Sequence, residues 1–258
     1  MKKIVAIIPA RMGSLRFPGK PLAKILGKSM IEHVYIRASM SEILDDVFIA
    51  TPDGEIRREV ERFGGKVIMT SPKHERASDR VAEAAEEIGD CNIVINLQGD
   101  EPLIHPEMIN SAVEPLIKSK KVVCSNLVKR IETESEYVDP NTIKVVADRH
   151  MNALYFSREP IPTKRVLGFN NIPIYKQVCV IPFRKDFLLE YSHMEPTPLE
   201  QAESIDMLRI LEHGYKVKLV ESKYDTQAVD TKEDLRKVES LMKTDKLYLS
   251  YTKKNVKQ

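Results

Sequence analysis

The 258-residue chain contains no tryptophan, few aromatic residues and only three cysteines, and these shortages exclude several classes of protein. Aromatic residues make up 6% of the chain, which leaves little material for the stacking platforms that bind nucleic-acid bases. Forty basic residues face thirty-eight acidic ones, so the net charge of +2 gives no excess that would attract a polyanion. We therefore expect no nucleic-acid partner.

The cysteines and the N-terminal apolar run indicate where the protein resides. Cys91, Cys124 and Cys179 lie far apart, form no Cys-x-x-Cys pair and provide no disulfide framework, which favours a reducing compartment. Each is expected to be a small buried apolar residue rather than a nucleophile. The apolar run over residues 4–10 is broken by Pro9 and is too short for a signal peptide or a membrane span. We expect a cytoplasmic protein with no membrane partner.

Buried strands and amphipathic helices alternate along the first 120 residues. The apolar patterns predict strands over residues 4–8, 47–50, 66–69 and 92–97, and helices over residues 30–39, 55–63, 80–88 and 106–118. This alternation implies right-handed crossovers between neighbouring parallel strands. The sequence therefore predicts an α/β fold, a Rossmann-like, mostly parallel sheet with helices on both faces.

The second half of the chain is less regular, with longer proline-containing segments. Its patterns predict strands over residues 122–128, 143–147, 178–182 and 217–220, and helices over residues 198–212 and 231–241. No linker or repeat divides the chain. We predict one domain over residues 1–242 with an elaborated second half. A lysine-containing tail, residues 243–258, is expected to fray or to lie on the surface.

The loop after the first strand, residues 10–22, is the first candidate for a ligand site. Ligands of open α/β sheets bind outside the carboxyl ends of the strands. This loop contains two glycines, which permit close backbone approach, and three cations: Gly13, Gly19, Arg11, Arg16 and Lys20. Backbone N–H groups and cations on one loop are suited to the negative charges of a nucleoside triphosphate.

Other interpretations of this loop are weaker. A P-loop requires Ser or Thr after its Gly-Lys pair, whereas Lys20 is followed by Pro21. The Gly-x-Gly-x-x-Gly fingerprint of a dehydrogenase is absent. A merely solvated polar loop is the remaining alternative. The position of residues 10–22 directly after a buried strand favours a ligand-binding loop over this alternative.

Two carboxylates are candidates for holding a metal ion. Asp100 follows Gly99 at the end of the strand predicted over residues 92–97, a suitable position for ligating Mg²⁺. The alternative for Asp100 is a β-turn residue. Asp230, taken alone, is best explained as the N-cap of the helix predicted over residues 231–241.

Six sequence blocks resemble a known family. Residues 8–22, IPARMGSLRFPGKPL, resemble the signature loop of sugar nucleotidyltransferases and, more narrowly, of the CMP-sugar-acid synthetases that include the 3-deoxy-manno-octulosonate (KDO) cytidylyltransferases. The same family is resembled by residues 74–80 (HERASDR), 96–102 (NLQGDEP), 139–146 (DPNTIKVV), 155–162 (YFSREPIP) and 228–235 (AVDTKEDL). The resemblance covers nearly the whole chain, and the order of the blocks is more specific than any single motif.

The resemblance implies roles for individual residues. The implied nucleotide-binding residues are Ala10, Arg11, Gly13, Ser14, Arg16, Lys20, Ser78, Arg80 and Gln98. The implied acceptor-binding residues are Gln98, Arg158, Gln177 and Asp206. Asp100 and Asp230 would together ligate the metal, and Lys20 would join them as the catalytic set.

It also implies a function. The fold would be of the nucleotide-diphospho-sugar transferase type, and the enzyme would join CTP to a KDO-type 2-keto-3-deoxy sugar acid, releasing pyrophosphate. The resemblance further implies Mg²⁺ as cofactor, a homodimer formed through residues of about 120–195, and a place in lipopolysaccharide biosynthesis. The alternatives are an enzyme of the same fold that uses another or a modified sugar acid or a sugar 1-phosphate, and a non-catalytic nucleotide-binding protein.

The match departs from the family on the acceptor side. Gln177 stands where the family has His, Ile181 where it has Tyr, Asp206 where it has Glu, and Met207 where it has Gln. Pockets that hydrogen-bond a substrate discriminate strongly between acceptors. The sequence therefore predicts a KDO-like acceptor and leaves the exact sugar acid open.

Overall fold

A computed structural model describes residues 3–14 and 16–253, and within these ranges ten strands form one mixed sheet. Leu15, in the predicted ligand loop, and residues 254–258, in the predicted tail, lie outside the described residues. A separate two-stranded hairpin, β2 (Lys24–Ile25) and β3 (Lys28–Ser29), follows the loop after β1.

The strands of the large sheet are β1 (Ile4–Pro9), β4 (Asp46–Thr51), β5 (Lys66–Met69), β6 (Ile93–Leu97), β7 (Cys124–Arg130), β8 (Lys144–Ala147), β9 (Ala153–Ser157), β10 (Tyr175–Val178), β11 (Val180–Arg184) and β12 (Val217–Glu221). The helices are α1 (Met30–Ala38), α2 (Gly54–Arg62), α3 (Ala77–Ile88), α4 (Pro106–Lys118), α5 (Glu134–Val138), α6 (Lys185–Ser192), α7 (Pro198–Glu203), α8 (Asp206–Glu212), α9 (Lys232–Met242) and α10 (Lys246–Lys253). Within the described ranges no helix is long and apolar enough to cross a membrane.

The sheet combines a parallel first half with a largely antiparallel second half. Its order is β5-β4-β1-β6-β11-β7-β10-β8-β9, and β12 pairs with β7. The strands β5, β4, β1 and β6 are parallel, as is the β12–β7 pair, whereas β11, β10, β8 and β9 join their neighbours in antiparallel fashion. The predicted α/β fold is confirmed, and the antiparallel pairs occupy the half where helical crossovers give way to proline-containing connections.

Helices cover both faces of the sheet, as predicted, and β1 shows the division. Its residues Val5 and Ile7 pack in one apolar cluster with α3, α6 and α8. The alternate residues Ile4, Ala6 and Ile8 pack in a second cluster with α1, α2 and α4. Because successive side chains of a strand point to opposite faces, a strand buried on both faces has to be continuously apolar. The sheet places the carboxyl ends of β1 and β6 side by side.

Two elements predicted as continuous are interrupted. The strand predicted over residues 178–182 is two strands, because the chain changes partners at Cys179: β10 pairs with β7 and β8, whereas β11 pairs with β6. The helix predicted over residues 198–212 is also wrong as one element. Ser204 has a left-handed backbone (φ 55°) that ends α7 before α8 begins.

Part of the tail, residues 246–253, does not fray but lies on the surface as a helix, which is the second of the two expected arrangements. These residues form α10, which packs beside α1. Asp245 pairs with the buried Arg37 at 2.6 Å, and the Tyr251 hydroxyl lies 2.7 Å from His33 Nδ1. These contacts join the end of the described chain to the first helix.

The three cysteines are free thiols. Cys91 and Cys124 are buried, which confirms their predicted role as small apolar residues, and Cys179 is half-buried. Burial raises the pKa of all three thiols. A raised pKa keeps a thiol protonated, so none of them is an activated nucleophile.

Candidate active site

A cleft runs along the carboxyl ends of β1 and β6 and consists of two adjoining cavities. The first, of about 280 Å³, is lined by seven predicted nucleotide-binding residues: Ala10, Arg11, Gly13, Ser14, Arg16, Lys20 and Gln98. The second, of about 190 Å³, is lined by the segment His74–Ala77 and by Arg80. The two cavities share Ala10, Arg11 and Gln98, so they form one continuous cleft.

The loop after β1 is held in place mainly through Met12. Its N–H donates to Asp53 Oδ2 at 2.7 Å, and its carbonyl accepts from the N–H groups of Ser14 at 2.9 Å and Gly19 at 3.1 Å. Gly19 has φ 71°, a backbone conformation that favours glycine. The chain then enters a 3-10 turn, Lys20–Leu22, which begins with the lysine that enters the cleft.

Lys20 lies between the two predicted metal ligands. Its Nζ is 2.9 Å from Asp100 Oδ2 and 3.3 Å from Asp230 Oδ1, and the Arg16 guanidinium contacts Asp230 at 3.0 Å. Burial alone would lower the pKa of Lys20, but the two carboxylates outweigh it and raise the pKa. The three predicted catalytic residues are therefore brought together, although they are 80 and 210 residues apart in sequence.

Asp230 does not cap a helix, so the interpretation of its carboxylate as an N-cap is wrong. Thr231 is the N-cap of α9, and its side chain accepts from the N–H of Asp234 at 3.2 Å. The N–H of Val229 donates to the Asp100 carbonyl at 2.9 Å, which holds the two aspartate segments side by side. The Asp230 carboxylate is thereby directed to Lys20 and Arg16.

The two aspartates fit a magnesium ion. Both contact one ammonium group, so both point at one position that a cation already occupies. Across residues 3–14 and 16–253 no group of three or more His, Cys, Asp or Glu side chains could hold a metal. Mg²⁺ in phosphoryl-transfer sites is usually held by one or two carboxylates together with substrate phosphates, so a pair is sufficient.

Beside Asp100 lies a carboxyl group that no sequence argument singled out. Glu101 is buried, and Thr226 Oγ1 donates to it. Burial raises the pKa of Glu101 to about 7, and the nearby carboxylates of Asp100 and Asp230 act in the same direction. A raised pKa increases the uncharged fraction of Glu101 near neutral pH, which reduces the negative charge around the aspartate pair.

Ser78 and Arg80, the predicted nucleobase-side residues, are both buried on α3. Arg80 donates to Thr70 Oγ1 at 2.6 Å and to the carbonyls of Ser71 and His74 at 3.1 and 3.3 Å. It therefore braces the segment that forms the far wall of the cleft. Ser78 is hydrogen-bonded to the predicted acceptor residue Asp206 at 2.8 Å.

Arg158 contacts the segment of residues 140–141, before β8, which also contacts the loop after β1. Its Nε donates to the Glu203 carbonyl at 2.8 Å and its Nη1 to the Pro140 carbonyl at 3.1 Å. The next residue, Asn141, accepts a hydrogen bond from Arg16. This contact joins the segment before β8 to the loop after β1.

The other acceptor-side positions differ in their surroundings. Gln177 on β10 donates through Nε2 to Asn126 Oδ1 at 2.6 Å. Met207, a residue of α8, is fully buried in the apolar core. At position 207 the chain therefore differs from the family at a core residue. Gln177 and Asp206, at the other two positions, are polar and partly exposed.

Sequence reasoning missed several residues that position the site. Glu203 accepts hydrogen bonds from Ser157, Tyr155 and the N–H of Arg158. No local pattern marks Glu203 or Asp53. Asn96 did carry a signal, because it is polar within an otherwise apolar buried strand.

Comparison with known proteins identifies the family. The cytidylyltransferase family model matches residues 5–249. The chain is 44% identical over 245 residues to a 3-deoxy-manno-octulosonate cytidylyltransferase of Geobacter metallireducens, covering 92% of this chain and 96% of that protein. It is 45% identical over 242 residues to the enzyme of the same name from Solibacter usitatus, covering 94% and 95%.

A solved structure agrees with the sequence comparison. The structure of a CMP:2-keto-3-deoxy-manno-octonic acid synthetase complexed with CTP has a TM-score of 0.87 and 39% identity, covering 94% of this chain and 99% of that one. The predicted resemblance to the CMP-sugar-acid synthetases is thereby confirmed. This chain belongs to the cytidylyltransferase family.

Proposed function

We propose that this enzyme transfers the cytidylyl group of CTP to the anomeric hydroxyl of a KDO-type sugar acid and releases pyrophosphate. The observation that supports the proposal most strongly is the arrangement of Lys20, Asp100 and Asp230 at one end of a cleft lined by the loop after β1. The relatives named above carry this activity in their names, and one was solved with CTP.

The loop after β1 would hold the triphosphate. Arg11, Arg16 and Lys20 bring positive charge to the first cavity, and Gly13 and Ser14 line it without bulk. A triphosphate needs neutralising charge, which the three cations of this loop offer together. The base would then extend toward the second cavity, which Arg80 braces.

Transfer joins the anomeric oxygen to the α-phosphorus while the bond from that phosphorus to the leaving oxygen breaks. The hydroxyl proton passes to solvent, and pyrophosphate departs. Such reactions depend chiefly on positioning and charge neutralisation. Lys20 would offset the charge that develops on the departing pyrophosphate, and Arg158 would orient the acceptor.

Asp100 and Asp230 would hold Mg²⁺ beside the reacting phosphate. When bound, the ion would supply charge neutralisation and lower the pKa of the attacking hydroxyl. The support for this cofactor is that both carboxylates already converge on one cation, the Lys20 ammonium.

The acceptor is proposed to be a KDO-like 2-keto-3-deoxy sugar acid, either KDO or a modified form. The modified form is included because Gln177 and Asp206 stand where the family has His and Glu. Asp206 is directed to Ser78, and Gln177 is bonded to Asn126.

We also propose a cytoplasmic homodimer that contributes to lipopolysaccharide biosynthesis. Free, protonated thiols are consistent with a reducing compartment. Exposed apolar side chains in the segment expected to form the dimer, Leu154, Val166 and Leu167, support association with a second copy.

A pyrophosphate-release assay tests the proposal. CTP, UTP, GTP and dTTP would each be combined with KDO, an 8-substituted KDO, a sialic acid and a sugar 1-phosphate. We expect release only with CTP and a KDO-type acid. Pyrophosphate release with UTP, GTP or dTTP equal to that with CTP would contradict the proposed nucleotide. Release with the sugar 1-phosphate but with none of the sugar acids would contradict the proposed acceptor.

A further inference from the structure

Four polar side chains form a continuous chain from α8 to the floor of the cleft. Ser78 Oγ is 2.8 Å from Asp206 Oδ2, and Asn96 Nδ2 is 3.2 Å from Ser78 Oγ. Asn96 Oδ1 is in turn 3.1 Å from Gln98 Nε2. The chain therefore connects α8, α3 and the end of β6.

The middle of this chain is closed to solvent. Ser78 is 0% exposed and Asn96 is 1% exposed. The neighbours of Asn96 in β6, Ile95 and Leu97, belong to the apolar core. Because water cannot reach these groups, their hydrogen bonds have to be made within the chain.

Elementary chemistry fixes the direction of every bond. The Asp206 carboxylate accepts hydrogen bonds, so the Ser78 hydroxyl has to donate to it. The Ser78 oxygen is then an acceptor, which requires Asn96 to present its NH₂ group. The Asn96 carbonyl faces the other way and accepts from the NH₂ group of Gln98. The Gln98 carbonyl oxygen is left outside this chain of bonds.

Gln98 is the only member of the four that lines both cavities of the cleft. A glutamine without such partners can present either end of its amide to a ligand. Here the orientation is determined from Asp206. A fixed carbonyl oxygen recognises a hydrogen-bond donor and rejects an acceptor.

We propose that Asp206, Ser78 and Asn96 are positioning residues that fix the Gln98 amide with its carbonyl oxygen available to the ligand, so that the group it recognises is a donor such as a sugar hydroxyl. This inference rests on the proposed function in one respect, namely that the ligand is the sugar acid. Asp206 then acts on the acceptor through Gln98 rather than by touching it.

Asp206→Asn is the main test, because it replaces a carboxylate, which can only accept from the Ser78 N–H and hydroxyl, by an amide whose NH₂ group can donate to the hydroxyl and allow the chain to reverse. In the full-length enzyme we expect the KM for KDO to rise about tenfold, which corresponds to one hydrogen bond, with kcat and the KM for CTP within about twofold of wild type. Asp79→Asn is the matched control. Asp79 follows Ser78 on α3, and its carboxylate contacts Arg209 at 3.3 Å, outside the chain of hydrogen bonds. The Asp79→Asn variant should leave the KM for KDO unchanged.

A double-mutant cycle separates action through Gln98 from direct contact. In a Gln98→Met background, adding Asp206→Asn should change the KM for KDO by less than about twofold, because the amide it orients is gone. A full tenfold effect in that background would overturn the proposal, as would a wild-type KM in the single variant.

A ligand-free measurement keeps the inference separate from the choice of substrate. In NMR spectra, Asp206→Asn should shift the side-chain NH₂ resonances of Gln98, while Asp79→Asn should not. Unshifted Gln98 resonances would overturn the proposal. If the wild-type enzyme is inactive with CTP and KDO but Asp206→Asn still shifts the Gln98 resonances, the proposed function is contradicted and the hydrogen-bond chain is supported.

Discussion

At the scale of single residues, the charge of the cleft is set by Lys20 and Arg16 on one side and by Asp100 and Asp230 on the other. All four side chains meet at contacts of 2.9 to 3.3 Å. We expect removal of a charge from this group to affect ligand binding more than the fold, because all four side chains are partly exposed to solvent.

Asp100→Asn and Asp230→Asn should each lower kcat by about 10³-fold or more, because each removes a proposed ligand of the ion that neutralises the reacting phosphate. The pyrophosphate-release assay measures the loss, and circular dichroism checks that the fold is retained. Asp225→Asn, at a carboxylate whose side chain is 89% exposed and paired with Lys129, is the control and should keep wild-type turnover. Turnover that survives Asp100→Asn would show that the proposed metal ligands are wrong.

Lys20→Met should strengthen metal binding in the absence of nucleotide, because the ammonium group lies where the cation is proposed to bind. We expect Mn²⁺, measured by electron paramagnetic resonance, to bind on the order of tenfold tighter than in the wild type. Lys24→Met is the matched control, since Lys24 pairs with Glu59 instead. Weaker Mn²⁺ binding in Lys20→Met would contradict a shared position.

The site residues differed in how far the sequence could identify them. Lys20 and Asp100 follow buried strands, so their position at the sheet edge was predictable from pattern alone. The contact of Asp230 with Lys20 was not predictable from pattern, because the two residues are 210 positions apart in sequence. Only the family resemblance indicated it. Asp53 and Glu203 act through backbone N–H groups, which leave no pattern in sequence.

At the scale of elements, a histidine of α1 contributes to the docking of α10. His33 Nε2 lies 2.8 Å from the Ile25 carbonyl, which can only accept, so Nδ1 has to accept from the Tyr251 hydroxyl. Burial lowers the pKa of His33 to about 4, with Arg37 and Lys28 acting in the same direction and Glu32 and the Ile25 carbonyl opposing.

Acidification should therefore weaken the protein through His33. The unfolded chain binds the proton near pH 6.5 and the folded chain only near pH 4, so stability falls as the pH drops from 6.5 toward 4. Between pH 6.5 and 5 the loss is roughly 1.5 kcal/mol, measurable by urea unfolding. His33→Gln should remove that part of the pH dependence. An identical pH dependence in both proteins would show that His33 is not the group responsible.

The elements that the sequence misplaced share a physical cause. Ser204 turns the chain between α7 and α8 with a left-handed backbone and accepts a hydrogen bond from Arg76 at 2.9 Å, and Cys179 stands where the chain changes strand partner between β10 and β11. Neither residue is a strong breaker by itself. The long periodic helices and buried strands of the first half were predictable, because local pattern and burial agree there.

At the scale of the whole molecule, the parallel strands β1 and β6 end at residues that line the cleft, whereas β10 in the antiparallel half carries Gln177. The described residues of the second half also expose apolar side chains, including Val166 at 85% and Leu154 at 62%.

If these exposed side chains form the proposed dimer, sedimentation equilibrium should give a mass near twice the chain mass of 29.5 kDa. Leu154→Glu combined with Val166→Glu should shift the equilibrium to monomers, whereas a monomeric wild-type protein would contradict the proposed dimer.

The most direct test of the proposed function is the product itself. Purified full-length enzyme would be incubated with CTP, Mg²⁺ and KDO, and the nucleotide products would be identified by mass spectrometry, with Asp100→Asn as the inactive control. We predict a CMP-sugar whose mass is that of CMP plus the sugar acid less one water, formed in equal amount with pyrophosphate. Hydrolysis of CTP without a CMP-sugar, or no consumption of CTP with any KDO-type acid, would contradict it.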